Sequence, residues 1–324
     1  MIQLKISILK TKYGEGAKSM RLLTRSDFDG LACGALLKEA GIIDSFKFIH
    51  PKDMQDGLVE VTGNDVLANV PYVPGCNMWF DHHSSEDVRL GELKYAGESR
   101  LAPSCARIIY EYYGGKVKMP HLDHMVNAAD KVDSGSLSRE EILYPQGWVL
   151  LGFIMDPRTG LGRFKNFTIS NYELMERLIE SCRTMGIDEI LALPDVKERV
   201  DLYFEQEALF REMVAAHTEI HRNVIVSDLR RVDTIYSGNR FIVYAMYPDQ
   251  NISIWVTAAR VAGAEKCMLA VGHSITNRTS NTNVGKMMLH YGGGGHRQVG
   301  TCQVLAIDAD RIIDECIKQM NIDG

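Results

Sequence analysis

No apolar run in this 324-residue chain approaches the ~18 residues that a membrane-spanning helix needs. The first residues also lack the long apolar stretch and small-residue cleavage site of a secretory signal, so a cytoplasmic location is expected. Positive charge is not in surplus: 36 Lys and Arg stand against 42 Asp and Glu, a net charge of −6. A protein that coats long nucleic acid presents a strongly basic surface, so a long duplex is excluded as partner, whereas a short anionic ligand needs only a local basic patch. No CxxC pair occurs among Cys33, Cys76, Cys105, Cys182, Cys267, Cys302 and Cys316. An odd, scattered set of this kind fits reduced buried thiols rather than a disulfide framework. Internal repeats and low-complexity segments are missing as well. What remains is a globular composition, 45% hydrophobic and 24% charged, at a length that suits two domains.

From Met20 onward, short apolar runs alternate with helical stretches. Strands are expected at Arg21–Thr24, Phe46–His50, Asp65–Asn69 and Met78–Phe80, and helices at Leu31–Ala40, Ser104–Tyr113 and Leu122–Asp130. This alternation predicts a mostly parallel sheet with helices on both faces, whose ligands sit beyond the carboxyl ends of the strands. A further helix is expected over Asn171–Met185 with Gly186 as its C-cap, and Pro194 opens a long helix to about Ile220. After Asn223 the texture changes to short strands at Val224–Val226, Phe241–Met246, Ile252–Val256 and Met268–Val271, then helices at Asn283–His290 and Ala309–Met320. The expected class is α/β: a parallel-sheet domain over 20–193, a connector helix over 194–221 and a smaller mixed-sheet α/β domain over 222–324. The active site would lie in the cleft between them, with a hinge near 190–222. Residues 1–19 match neither strand nor helix and read as a loose extension or a start mis-assigned ahead of Met20.

Asp27-Phe28-Asp29-Gly30 follows the first strand and Asp81-His82-His83 the fourth. On extended backbone, residues i and i+2 point the same way, so Asp27 and Asp29 would repel unless a cation lies between them. Asn127-Ala128-Ala129-Asp130 ends a helical stretch, with Asp133 three residues on as a supporting partner. Carboxylates and imidazoles gathered at strand and helix ends call for a cation, and this oxygen–nitrogen mixture suits manganese or magnesium. Near the C-terminus, Gly292-Gly293-Gly294-Gly295-His296 offers backbone N–H groups to an anion and permits close backbone approach. Metal plus phosphate points to hydrolysis of phosphorus–oxygen bonds. His121 and His124 share a helix face without a third ligand and read as structural or exposed.

In these motifs and their order, over about residues 20–305, the chain resembles the DHH phosphoesterase family, which includes RecJ exonucleases, oligoribonucleases, cyclic-dinucleotide phosphodiesterases, manganese pyrophosphatases and exopolyphosphatases. Arg278 and Asn283-Val284-Gly285 match the arginine and Asn-Val pair that precede the glycines in the family's C-terminal domain. The likeness is greatest to the bacterial exopolyphosphatase-related proteins. It implies a metal site of Asp29, His82 and Asp130, with Asp27, Asn69 and Asp81 at or beside a second. It implies a catalytic set of Asp27, Asp29, His82, His83 and Asp130, and substrate contacts from His83, Arg278, Asn283, Gly292, Gly293, Gly294, Gly295 and His296. The implied activity is a manganese-dependent (or magnesium-dependent) phosphohydrolase that removes terminal phosphate from short anionic chains such as polyphosphate, through a metal-activated water. Two alternatives stand beside it: a phosphodiesterase for short oligonucleotides or a 3′-phosphonucleotide phosphatase, and a catalytically weak sensor of phosphorylated ligands. The family's first motif runs His-x-Asn-x-Asp-x-Asp, whereas Leu23 and Arg25 stand at its His and Asn positions. The aspartate that ends the family's third strand is here Asn69, Asp65 lying at the strand's other end. One tight metal ion is therefore expected, with the second site doubtful and Arg25 supplying positive charge beside Asp27. Monomer and homodimer both stay open.

Overall fold

Asp65–Ala68 and Met78–Asp81 bury every one of their residues, the mark of strands covered on both faces. The computed structural model describes residues 20–83, 94–261 and 264–324; the expectation for residues 1–19 lies outside these. Those two runs are β3 and β4. With β1 (Met20–Thr24), β2 (Ile43–Phe48) and β5 (Gly97–Ser99) they form an all-parallel sheet in the order β2-β1-β3-β4-β5. The order reverses at β1, so the crevice beyond the carboxyl ends of β1 and β3 is the place where side chains from different loops converge.

One face of this sheet carries helices. α1 (Phe28–Glu39) is buried almost all round and packs with α2 (Cys105–Tyr112), α3 (Asp123–Ser134), α4 (Gly147–Met155) and α5 (Asn171–Thr184). The other face differs from the expectation of helices on both sides. There Leu23, Leu67 and Trp79 align across three strands and pack against Met54, Val70, Tyr72 and Tyr95 from loops and a single helical turn. The reason is chain length: only nine residues separate Ala68 from Met78, fewer than a crossover helix requires. Tyr72 meets Trp79 edge-on at 5.4 Å, and the Trp79 indole donates to Val70 O at 2.9 Å. Gly186 does not cap α5, whose C-cap is Met185; Gly186 is extended and opens the short helix Ile187–Ala192.

These elements belong to one compact unit, the described residues of Met1–Ser136, Gln146–Pro157 and Leu161–Val200; the other comprises the described residues of Leu137–Pro145, Arg158–Gly160 and Asp201–Gly324. Helix α6 (Pro194–Ala216) runs from the first unit into the second. It ends short of the expected Ile220 because Thr218–His221 forms β6, paired with β7 (Val224–Asp228) through a turn in which Arg222 has φ 59°. β8 (Ile252–Val261), β9 (Ala264–His273), β10 (Gly294–Gly295) and β11 (Val299–Leu305) complete a mixed sheet in the order β10-β11-β9-β8-β7-β6. Helices α7 (Val284–His290) and α8 (Ala309–Asp323) close its core around Ile254, Leu269, Met288, Val304 and Ile313. The expected strand at Phe241–Met246 is the short helix Ile242–Met246, since a brief apolar run reads equally as either. Among the described residues no helix is long and apolar enough to cross a membrane.

Candidate active site

The turn between β1 and α1 is built for close quarters. Asp27 caps α1, its Oδ1 accepting the Gly30 N–H at 2.9 Å. A Cβ on Gly30 would sit 2.0 Å from Arg25 O, so only glycine allows the chain to turn this tightly. Asp29, 2% exposed, then lies on the first turn of α1 facing the N-terminus of α2. Its Oδ1 accepts the Ala106 N–H at 2.8 Å and its Oδ2 the Cys105 N–H at 3.0 Å, the anion position favoured by a helix N-terminus. Burial and the charge of Asp133 nevertheless push its pKa up to about 7; His82 pulls the other way and Asp27 adds to the rise.

His82 follows β4. Its Nδ1 lies 3.2 Å from Ala102 O, and since a carbonyl only accepts, Nδ1 carries the hydrogen. Nε2 is then the lone-pair nitrogen of the neutral ring. It is buried, has no hydrogen bond of its own, and stands 3.3 Å from Asp133 Oδ2 and 3.8 Å from Asp29 Oδ2. A lone pair aimed at two carboxylates requires a proton or a cation between them. Donor atoms of Asp29, His82 and Asp133 all lie within 4.8 Å of one another, and this set fits a divalent ion that accepts both oxygen and imidazole ligands.

Asp130, expected as the third member, is engaged elsewhere. Its Oδ1 accepts the Ser104 hydroxyl at 2.7 Å, and its Oδ2 accepts Arg107 Nε at 2.9 Å and Nη2 at 2.6 Å. Asp133, one turn further along α3, is the carboxylate that meets Asp29 and His82. Residues three apart share a helix face, so the expectation of Asp130 as ligand with Asp133 as its partner reached that face with the two positions exchanged.

Around this cluster, Asp27 is already spoken for. Asn69 Nδ2 donates to its Oδ1 at 3.2 Å, and Arg25 Nε lies 3.2 Å from its Oδ2. Asn69 holds the left-handed conformation (φ 57°) that asparagine tolerates. Its Oδ1, and Oδ2 of the buried Asp81, are acceptors left without a hydrogen bond. Asp81 Oδ1 instead takes His83 Nδ1 at 2.8 Å. Burial works against the His83 cation, but the bond and charge of Asp81 raise its pKa, with Arg25 opposing. Leu23 is fully buried in the sheet core, and Asp65 binds Arg21 and Thr62 at the amino end of β3, away from the cluster.

The remaining expected residues lie in the second unit, and much of their polarity is consumed by the fold. Asn283 caps α7, accepting the Lys286 N–H at 3.1 Å. Arg278 is exposed, its Nε donating to Ile275 O at 3.1 Å. In the glycine loop the N–H groups of Gly292, Gly293 and His296 go to Leu289 O, Met288 O and Val299 O, so the open anion nest expected there is closed at those three positions. A Cβ at Gly293 would lie 2.0 Å from Thr301 O, and one at Gly295 would lie 2.2 Å from Val299 O. The close approach is to β11. Gly294 alone has neither a positive φ nor a neighbour within 4 Å of a Cβ. His296 is exposed.

No family model and no curated protein sequence matches the chain. Among solved structures, a pGpG-specific phosphodiesterase, PggH from Vibrio cholerae, matches at 47% identity over 94% of this chain and 100% of its own, with a TM-score of 0.83. The chain belongs to the DHH phosphoesterase family. It is a hydrolase of phosphorus–oxygen bonds. The manganese complex of RecJ from Thermus thermophilus shares the fold at 12% identity and a TM-score of 0.51, over 99% of this chain and 55% of its own. A manganese-bound exonuclease RecJ does so at 11% identity and 0.51, over 98% and 94%.

Proposed function

We propose that this phosphoesterase hydrolyses the phosphodiester of a short linear dinucleotide, with one divalent ion, manganese or magnesium, held by Asp29, His82 and Asp133. The observation that carries the metal is His82 Nε2, buried without a hydrogen bond and aimed at two carboxylates. The full-length likeness to a pGpG-specific phosphodiesterase supports the dinucleotide over polyphosphate. When bound, the ion supplies a Lewis acid that activates water and offsets phosphate charge. The chain's own groups do the rest. Asp29 is oriented by two backbone N–H groups, and Ala102 O fixes the His82 tautomer. His83, held at Nδ1 by Asp81 and 36% exposed, presents Nε2 to a phosphate oxygen or to the leaving ribose oxygen, which needs a proton as the P–O bond breaks. Arg25 makes a second cation unnecessary beside Asp27, whose oxygens already meet the guanidinium, an amide and a backbone N–H. Within the second unit, Arg278 and the Gly294–His296 stretch are our candidate phosphate contacts.

The test is hydrolysis, with manganese supplied, of a fixed panel: pGpG, inorganic polyphosphate and a 3′-phosphonucleotide. Turnover is expected on the dinucleotide. Turnover on polyphosphate alone would reverse the substrate reading, and tight dinucleotide binding without turnover would make the protein a sensor.

A further inference from the structure

Two helices supply or hold the two carboxylates of the cluster: α3 carries Asp133, and the N-terminus of α2 grips Asp29. Asp130 fastens one helix to the other. On α3, three residues before Asp133, it takes the hydroxyl of Ser104, the residue that caps α2. Ser104 Oγ in turn accepts the Arg107 N–H at 3.0 Å, so donor and acceptor are both committed and the cap has one orientation. The Arg107 guanidinium closes the loop with two N–H bonds to Asp130 Oδ2 and one to Asn127 Oδ1 at 2.7 Å. Asp130 and Arg107 are 17% and 18% exposed, and Ser104 is fully buried, so water competes less for the bonds among these three than for the exposed one to Asn127.

We propose that Asp130 is a positioning residue: through Ser104 and Arg107 it sets the place of the α2 N-terminus, and thereby the separation and orientation of Asp29 relative to Asp133. This rests on Asp29, His82 and Asp133 being the metal ligands. Partners that orient ligands in this way typically change metal affinity by about 10- to 100-fold.

The experiment is a calorimetric manganese titration of the full-length wild type and of the Asp130→Asn, Arg107→Met, Ser104→Ala and Asp133→Asn variants, with the metal-free melting temperature of each. Asp130→Asn is expected to weaken binding about 10- to 100-fold at unchanged stoichiometry, with Arg107→Met alike, measured where both remain folded, since breaking the bonded carboxylate–guanidinium pair also lowers the metal-free melting temperature. Asp133→Asn is expected to abolish tight binding. Wild-type affinity in Asp130→Asn would overturn the positioning role, and loss as complete as in Asp133→Asn would make Asp130 a ligand. Undiminished binding in Asp133→Asn would instead overturn the ligand assignment. Should Asp130→Asn not fold, Ser104→Ala breaks the same link, and wild-type affinity there counts equally against the proposal.

Discussion

The two ends of the five-stranded sheet each bury an aspartate, and the surroundings treat them oppositely. At the amino end of β3, Asp65 is 1% exposed and accepts Arg21 Nε at 2.7 Å, Arg21 Nη2 at 3.0 Å, the Thr62 N–H at 2.7 Å and the Thr62 hydroxyl at 3.0 Å. Burial works to raise its pKa, yet these bonds hold it below the usual carboxylate range. Beyond the carboxyl end of β1, Asp29 is as deeply buried but faces Asp27 and Asp133, and its pKa is raised. One end is completed by the chain itself. The other keeps His82 Nε2, Asp81 Oδ2 and Asn69 Oδ1 without hydrogen bonds, and unmet buried polarity is costly unless a ligand meets it. The amino end is structure, and the carboxyl end is chemistry.

Substitution at the two ends gives the largest expected effect. His82→Ala should lower kcat on the order of a thousandfold or more, beyond the 10- to 100-fold typical of residues that only support a ligand. Asp65→Asn should keep kcat within about twofold of wild type and instead destabilise the fold by about 2 kcal/mol, since a buried, multiply bonded carboxylate is lost but its partner Arg21 can turn to water. Steady-state kinetics with urea unfolding of both variants measures this. Comparable losses of activity in the two would erase the distinction between the ends.

The sequence pattern made the active end legible where local rules suffice and obscured it where a distant residue decides. Continuous apolar runs announced β1, β3 and β4, and the Asp27-x-Asp29 and Asp81-His82-His83 placements followed from where those runs stop. The choice between Asp130 and Asp133 turned on Ser104 and Arg107, contributed by another helix, and no periodicity within α3 reports that. The helix at Ile242–Met246 was hidden because five apolar residues carry no decisive period. The glycines correctly announced close backbone approach. That the approach is to β11 is a pairing of strands, and the spacing of glycines is silent about it.

Proton linkage sharpens the comparison with a smaller effect. For Asp65 the folded pKa lies below the unfolded value of about 3.9, so its contribution is full above that value and is lost as pH falls through the folded one. For Asp29 the folded pKa is raised to about 7, so in metal-free protein the folded state holds a proton that the unfolded state has lost between about pH 4 and 7. Stability from this group therefore falls as pH rises across that window. Melting temperatures of chelated protein should show this slope in wild type, and Asp29→Asn should flatten it. With saturating manganese the dependence should reverse, because metal binding requires the deprotonated ligand. A slope that persists unchanged in Asp29→Asn would assign it to another group.

The smallest expected effect carries the same logic into the second unit, where the fold has consumed most of the polarity near the glycine loop. At Gly293 a Cβ would lie 2.0 Å from Thr301 O and 2.6 Å from Cys302 Cβ, so Gly293→Ala must push β10 from β11 and should cost about 3 kcal/mol. At Gly294 the space is open and the backbone needs no positive φ, so Gly294→Ala should leave the melting temperature essentially unchanged. Neither sterics nor φ demands glycine there, just as the active end of the parallel sheet keeps polar atoms without structural partners. If the demand comes from substrate, the methyl group should raise KM for the dinucleotide about three- to tenfold, equivalent to about 1 kcal/mol, while kcat changes little. An unchanged KM would mean that the loop, for all its glycines, serves only the packing of β11, and that the chemistry of this enzyme is concentrated at the carboxyl end of the other sheet.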